Sequence, residues 1–171
     1  MWVPIRSFGF ALWAWLASAE SFDRVVVVID GSVVTASDVA LETELLLLDP
    51  SPYWSQERPP LDRVVDTLLL RGAAGDVAVY QPDEALVSTR FEQLRTRVPA
   101  DQWKTWLETV GQDEESLRAV LRRRLIVERF LVRNTTTSVE SREWSDECRA
   151  LVERLRAASR IRVVPPVPRE E

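Results

Sequence analysis

The chain has 171 residues, a formal net charge of −5 and no histidine. The acidic balance gives no support for a nucleic-acid-binding protein, which typically presents a basic surface. The lack of histidine excludes Ser-His-Asp and Cys-His catalysis, and it excludes zinc sites that use histidine ligands. Cys148 is the single cysteine, so no internal disulfide can form.

The N-terminal segment predicts a secretory signal peptide. Arg6 supplies a positive charge, residues 8–16 (FGFALWAWL) form a short apolar run, and residues 17–19 (ASA) fit a signal-peptidase site. The run is much shorter than the ~20 apolar residues that span a bilayer. We expect residues 1–19 to be removed and residues 20–171 to form one exported domain, periplasmic or secreted, with no stable membrane insertion. A buried or amphipathic N-terminal helix is the alternative.

The predicted domain opens with a β-hairpin that leads directly into a helix. Residues 25–29 form a β-branched run, and the pair Asp30-Gly31 is typical of a two-residue type I′ turn, in which Gly31 takes a positive φ. Thr35 and Asp38 have the spacing of a capping box, with Ser37 as an alternative cap. The chain is therefore expected to pass from the second strand into a helix without a linker.

Apolar residues then recur at helical spacing, and prolines, glycines and polar runs separate the helices. A proline-rich loop follows the first helix, and a short extended link follows the second. Helices are predicted over residues 38–48, from residue 61 to the glycines at 72 and 75, from residue 82 to Pro99, over 101–110, from 113 to about 133, and after the polar linker 134–141.

Residues 160–164 (RIRVV) form a third β-like segment. A two-stranded hairpin is marginal alone, so we expect this segment to pair with the hairpin. The predicted fold class is mainly α with a small antiparallel β-sheet joining the N- and C-termini. Its parts are a hairpin over 23–36, helices over 38–158 and a closing strand over 160–164.

Several segments, in this order, resemble the N-terminal domain of the SurA-like periplasmic chaperones and parvulin-type foldases. One departure is that the parvulin isomerase module is missing, because only NTTTSVES lies at the junction where many relatives carry it. The matching segments are DRVVVVIDGSVVTASDV at 23–39, LDRVVDTLLLRGAA at 61–74, VAVYQPDEALVSTRFEQL at 77–94, GQDEESLRAVLRRRLIVERFL at 111–131 and RIRVVPP at 160–166.

The resemblance implies an ATP-independent holdase chaperone that binds unfolded outer-membrane or secreted polypeptides. It implies no enzyme activity here, because the family's histidine-lined isomerase pocket cannot be assembled from this chain. No cofactor and no nucleic-acid partner is expected, and homo-oligomerisation is left open. The alternatives are a peptidyl-prolyl isomerase, by family membership, and a dedicated assembly partner of another envelope protein.

Six apolar and aromatic residues are the candidate peptide-binding residues. Taken one by one, each fits core packing, but together they predict an exposed apolar groove, aided by the open edge of the small sheet. Two lie in the proline-rich loop, two lie on the short fourth helix, and two point away from the main apolar stripe of the fifth helix. They are Tyr53, Trp54, Trp103, Trp106, Ile126 and Phe130.

Other conspicuous residues have simpler interpretations. Cys148 falls on the apolar stripe of the last helix and is predicted to be a small packed residue. The arginines at 122–124 complement the helix dipole, and Arg124 is expected to pair with Glu128 one turn later. A docking surface for acidic partners is the weaker alternative for this arginine cluster.

Overall fold

The computed structural model describes residues 23–51 and 58–165. The predicted signal peptide at residues 1–19 lies outside this part of the chain, as do Tyr53 and Trp54. The elements in chain order are strands β1 (Val25–Ile29) and β2 (Ser32–Thr35), helices α1 (Ala36–Leu48) and α2 (Pro60–Ala74), a 3-10 turn (Ala78–Tyr80), helices α3 (Glu84–Arg95), α4 (Trp103–Thr109), α5 (Glu114–Asn134) and α6 (Arg142–Ala158), and strand β3 (Ile161–Val163).

The predicted fold class is confirmed: the chain is mainly helical, with an antiparallel sheet in the order β2-β1-β3. Asp30 and Gly31 have φ values of 48° and 90°, as the predicted hairpin turn requires. Val28 of the central strand pairs with Val33 on one side and with Arg162 on the other. The strand near the C-terminus therefore completes the N-terminal hairpin.

The helix starts follow the sequence signals closely. Thr35 and Asp38 form the predicted capping box, in which the Thr35 N–H donates to Asp38 Oδ2 at 2.9 Å. The side chains of Asp83 and Asp113 accept hydrogen bonds from the backbone N–H groups of Leu86 and Ser116, the third residues of α3 and α5, and so cap these helices. The extended link predicted before α3 is wrong, because residues 78–80 form a 3-10 turn.

The core has three apolar clusters, and α5 runs through two of them. The α3–α4 core contains Leu41, Leu45, Phe91, Leu94, Val98, Trp103, Leu107, Val110, Leu117 and Leu121. The α6 core contains Leu70, Ala74, Ile126, Val127, Phe130, Leu131, Trp144, Cys148 and Val152. The sheet core contains Val27, Ile29, Val34, Val65 and Leu69.

Helix α5 is the central element, because α2 and α3 pack on it and the 3-10 turn lies against it. Residues 124–128 are consecutively buried, which requires neighbours on every side of the helix. This arrangement explains why the sequence of α5 has apolar residues on two faces. None of the helices in the described ranges is long and apolar enough to cross a membrane.

Candidate functional site

A crevice opens between α1, α2 and α5. The crevice is small, with about 40 Å³ of room for the centres of water-sized molecules. Among its apolar lining residues, Leu41 and Leu45 are buried, whereas Val64, Leu68 and Val120 remain partly accessible. Asp38, Thr67 and Arg123 also line the crevice, together with the buried Glu42 and Arg124. The apolar lining consists of Leu41, Leu45, Val64, Leu68 and Val120.

The buried charges of the crevice belong to an ion-pair network. Arg124 Nη1 binds Glu42 Oε2 at 2.9 Å, and Arg124 Nε binds Asp49 Oδ2 at 3.2 Å. Arg63, which is 0% exposed, binds the other oxygen of Glu42 at 3.0 Å. One carboxylate of α1 therefore bridges two guanidinium groups, one from α2 and one from α5.

Arg90 and Glu128 extend this network toward α3. Arg90 binds Asp49, and its Nη2 lies 3.2 Å from Glu128 Oε1. The Ser51 hydroxyl donates to the same Glu128 oxygen at 2.9 Å. Burial raises the pKa of Glu128 above its ordinary value of 4.5, and the positive charge of Arg90 partly opposes this rise. We call this set the charged layer; it consists of Glu42, Asp49, Arg63, Arg90, Arg124 and Glu128.

The predicted pairing of Arg124 with Glu128 is wrong. Arg124 binds Glu42 of α1 and Asp49, which directly follows that helix, and Glu128 binds Arg90 of α3. Only Arg122 of the arginine cluster behaves as a surface residue with a surface partner, Glu84. The sequence carries a signal for this burial, because Leu121, Arg124 and Glu128 have the spacing of one helical stripe.

A second buried carboxylate joins α2 to α6. Asp66 is 2% exposed and accepts from Arg156 Nε at 2.7 Å, and it also binds Arg58. Arg156 additionally binds Asp62 at 2.9 Å. The start of α2, which forms one wall of the crevice, is therefore fixed to α6 by ion pairs.

The two tryptophans of α4 contribute to the α3–α4 core. Trp103 is buried, its Nε1–H donates to Glu114 Oε1 at 3.0 Å, and its ring meets Phe91 edge to face at 5.7 Å. Trp106 is partly buried and stacks on Trp103 at 5.4 Å. Neither ring lines the crevice.

The two candidate residues of α5 are also core residues. Ile126 and Phe130 are buried in the α6 core, and Phe130 meets Tyr80 edge to face at 5.3 Å. The predicted exposed groove is therefore wrong for Trp103, Ile126 and Phe130. Helix α6 and the 3-10 turn supply the cover that the sequence pattern of α5 alone does not reveal.

The sequence pattern does not mark the crevice residues as a binding site, because they have the spacing of ordinary core positions. Val64 and Leu68 lie on the apolar stripe of α2, and Val120 lies on that of α5. Whether a stripe is covered completely or partly depends on the angles between helices, which local sequence does not encode. No residue-level signal would have separated these three from their buried neighbours.

The single thiol and the possible metal ligands of the described residues can be assessed directly. Burial, with the nearby charge of Glu147, raises the pKa of the Cys148 thiol to about 12, so it is protonated at neutral pH. Among residues 23–51 and 58–165, no group of three or more Asp, Glu or Cys side chains could hold a metal ion.

A scan against protein-family models gives no match, and a search of curated proteins gives none either. The relation to the SurA-like chaperones therefore stays a prediction that rests on the sequence segments quoted above.

Proposed function

We propose that this chain is an exported, ATP-independent holdase chaperone, periplasmic or secreted, that binds unfolded polypeptides. The observation that carries the proposal is the crevice, where three helices leave Val64, Leu68 and Val120 partly accessible above a buried floor. Apolar side chains of an unfolded client are the natural ligands of such walls. The resemblance to periplasmic chaperones supports the same function.

The charged layer makes the crevice suitable for apolar ligands. Glu42 and Arg124 lie at the crevice but are already paired with each other at 2.9 Å. The two buried charges at the floor of the crevice are therefore already paired when a client side chain enters. The same ion pairs hold α1 against α5, so the crevice exists before the client arrives and little ordering is required on binding.

The size of the crevice sets the strength of binding. Burying one leucine-sized side chain is worth roughly 1.5–3 kcal/mol, which alone corresponds to a very weak complex. Useful retention of a client therefore requires additional contacts along the client chain. Weak individual contacts suit release without a nucleotide cycle, and each client segment dissociates once it can bury its apolar groups in its own fold.

The test measures the aggregation of a denatured outer-membrane protein by light scattering, with and without residues 20–171 of this chain. The variant Thr67→Trp places a bulky ring at the crevice, and Thr89→Trp, at an exposed position on α3, is its control. Both threonines are helical, and each hydroxyl donates to the carbonyl oxygen four residues earlier at 2.8 Å. We expect Thr67→Trp to lose most of the suppression and Thr89→Trp to retain it.

Absence of suppression by the folded wild-type chain would overturn the holdase proposal and favour a dedicated assembly partner. Equal suppression by both variants would move the binding surface away from the crevice. A proline-peptide isomerisation assay on the same sample tests the enzymatic alternative, for which we expect no rate above background.

A further inference from the structure

Strand β3 lies at one edge of the sheet, and its outer side has no strand partner within residues 23–51 and 58–165. The Val164 N–H donates to the carbonyl oxygen of Val26 at 2.9 Å, so the even-numbered residues of this strand direct their backbone groups toward β1. Backbone groups of successive residues alternate between the two sides of a strand. Ile161 and Val163 therefore direct their N–H and C=O groups away from the sheet.

The side chains on this edge are basic and apolar in alternation. Arg160 and Arg162 are exposed, and neither forms an ion pair with any residue in the ranges 23–51 and 58–165. Val163 is 67% exposed although it is a strand residue. Within the part of the chain that the structure describes, the edge thus combines backbone groups without a strand partner, an accessible apolar side chain and two arginines that form no salt bridge.

The outer face beside this edge has a net positive charge. Arg160 and Arg162 line a shallow depression there together with Val28, Asp30 and Gly31. Asp30 is the one carboxylate of that lining, and it accepts from the backbone N–H of Arg160 at 2.9 Å. This hydrogen bond lowers the pKa of Asp30, so the carboxylate is charged at neutral pH and offsets only one of the two arginines.

We propose that the β3 edge binds an extended segment of another polypeptide, with acidic side chains at alternate positions, as a fourth strand. Backbone hydrogen bonds to Ile161 and Val163 would give affinity, as in other cases of strand addition. Acidic side chains facing Arg160 and Arg162 would give selectivity.

A second copy of this chain fits the edge poorly. Pairing of β3 with β3 of another copy would bring the arginines of both strands onto one face, and like charges in neighbouring positions of a sheet are destabilising. The edge also lies apart from the crevice, with which it shares no lining residue. The proposal therefore stands or fails independently of the proposed holdase activity.

The test uses fluorescence anisotropy with a labelled peptide of alternating Glu and Val, and with a matched peptide in which Lys replaces Glu. We expect the acidic peptide to bind and the basic peptide to bind at least about tenfold more weakly, a difference of 1.4 kcal/mol or more. The double variant Arg160→Glu/Arg162→Glu should weaken binding of the acidic peptide by a similar factor. Arg133→Glu, at an exposed position on α5, is the charge control and should leave the affinity unchanged.

Val163→Pro separates strand addition from simple charge attraction. It removes an N–H that points away from β1, so the hydrogen bonds within the sheet remain, while a fourth strand loses a donor. Val33→Pro, on the opposite edge, is the matched control. We expect only Val163→Pro to reduce binding, by about tenfold, with unchanged circular dichroism and urea midpoint for both variants.

Equal affinity for the acidic and basic peptides, or full binding by Val163→Pro, would overturn the proposal. A dimer of the wild-type chain in sedimentation velocity that dissociates in Val163→Pro would also overturn it, by assigning the edge to a second copy. Acidic-peptide binding that persists in Thr67→Trp would support an edge site separate from the crevice.

Discussion

Two kinds of interior meet along α5. Before and after its middle turn, the helix packs in the apolar α3–α4 and α6 cores, where Leu121 and Leu131 are almost completely buried. Between them, Arg124 and Glu128 are also buried, at 2% and 9% exposure, but they lie in the charged layer. Apolar contacts are compatible with many relative positions of the packed helices. Ion pairs with defined geometry form in only one of these positions.

The difference between the apolar cores and the charged layer shows which part of the interior fixes the position of α1 along α5. Arg124 reaches Glu42 of α1 and Asp49, the residue that caps the C-terminal end of α1, and it also donates to the Asp49 carbonyl oxygen at 3.1 Å. Sliding α1 along α5 by one turn would break all three contacts together. A buried ion pair is weak evidence for stability, so we interpret the charged layer mainly as the device that sets helix register.

Arg124→Met gives the largest expected effect. The variant leaves Glu42 and Asp49 with fewer buried partners, and removing one partner of a buried ion pair costs about 3–5 kcal/mol. Urea unfolding followed by circular dichroism measures the loss. Arg122→Met, which removes an exposed pair with Glu84, is the control and should cost less than about 1 kcal/mol. Similar losses for both variants would contradict the distinction between the layer and the surface.

Leu121→Ala tests the apolar side of the comparison, one turn earlier on the same helix. Leu121 is 0% exposed in the α3–α4 core, and truncation of such a leucine costs about 2–5 kcal/mol through lost burial and the cavity that remains. The same urea experiment measures it. A loss below about 1 kcal/mol would mean that this core is loosely packed.

Two conservative substitutions should give opposite pH dependences of stability. Burial raises the pKa of Glu128 in the folded chain, so the folded state binds more protons than the unfolded state between pH 4.5 and that raised value. Relative to Glu128→Gln, the wild type should therefore lose stability as the pH rises through this window.

The hydrogen bond from Arg160 lowers the pKa of Asp30 from 3.8, so relative to Asp30→Asn the wild type should lose stability as the pH falls below about 3.8. Urea midpoints of the three proteins across pH 3–7 measure both trends, and slopes of the same sign would contradict them.

The smallest expected effect concerns the reactivity of the Cys148 thiol and not the stability of the fold. Its pKa of about 12 leaves little thiolate at pH 8, and its side chain is buried in the α6 core. We expect iodoacetamide to modify the folded chain far more slowly than the urea-unfolded chain, as followed by mass spectrometry. Rapid modification of the folded chain would show that α6 detaches readily.

Much of the fold follows from local sequence signals. The Asp30-Gly31 turn, the Thr35–Asp38 capping box and the third strand near residues 160–164 were all predicted and confirmed. These features depend on a few neighbouring residues, or on the need of a marginal hairpin for a partner. Backbone conformation is encoded within the segment itself in each case.

The interior was less predictable, because burial depends on elements far away in sequence. Arg124 was predicted to be a helix-end cation, yet it is 2% exposed and bound to residues more than 70 positions earlier. Taken singly, Ile126 and Phe130 fitted core packing, and only their combination with the other aromatic residues predicted an exposed groove; the pattern of α5 does not show that α6 covers them. The crevice likewise results from how closely three helices approach each other.

The position of β1 between β2 and β3 has a consequence for biogenesis. Its first neighbour is separated from it by a two-residue turn, but its second neighbour, Ile161–Val163, comes more than 130 residues later in the chain. If the chain is exported from its N-terminus, as proposed, this sheet cannot be completed until almost the whole sequence has crossed the membrane. This delay would keep the polypeptide incompletely folded, and therefore able to pass through a translocation channel, until the last strand has crossed.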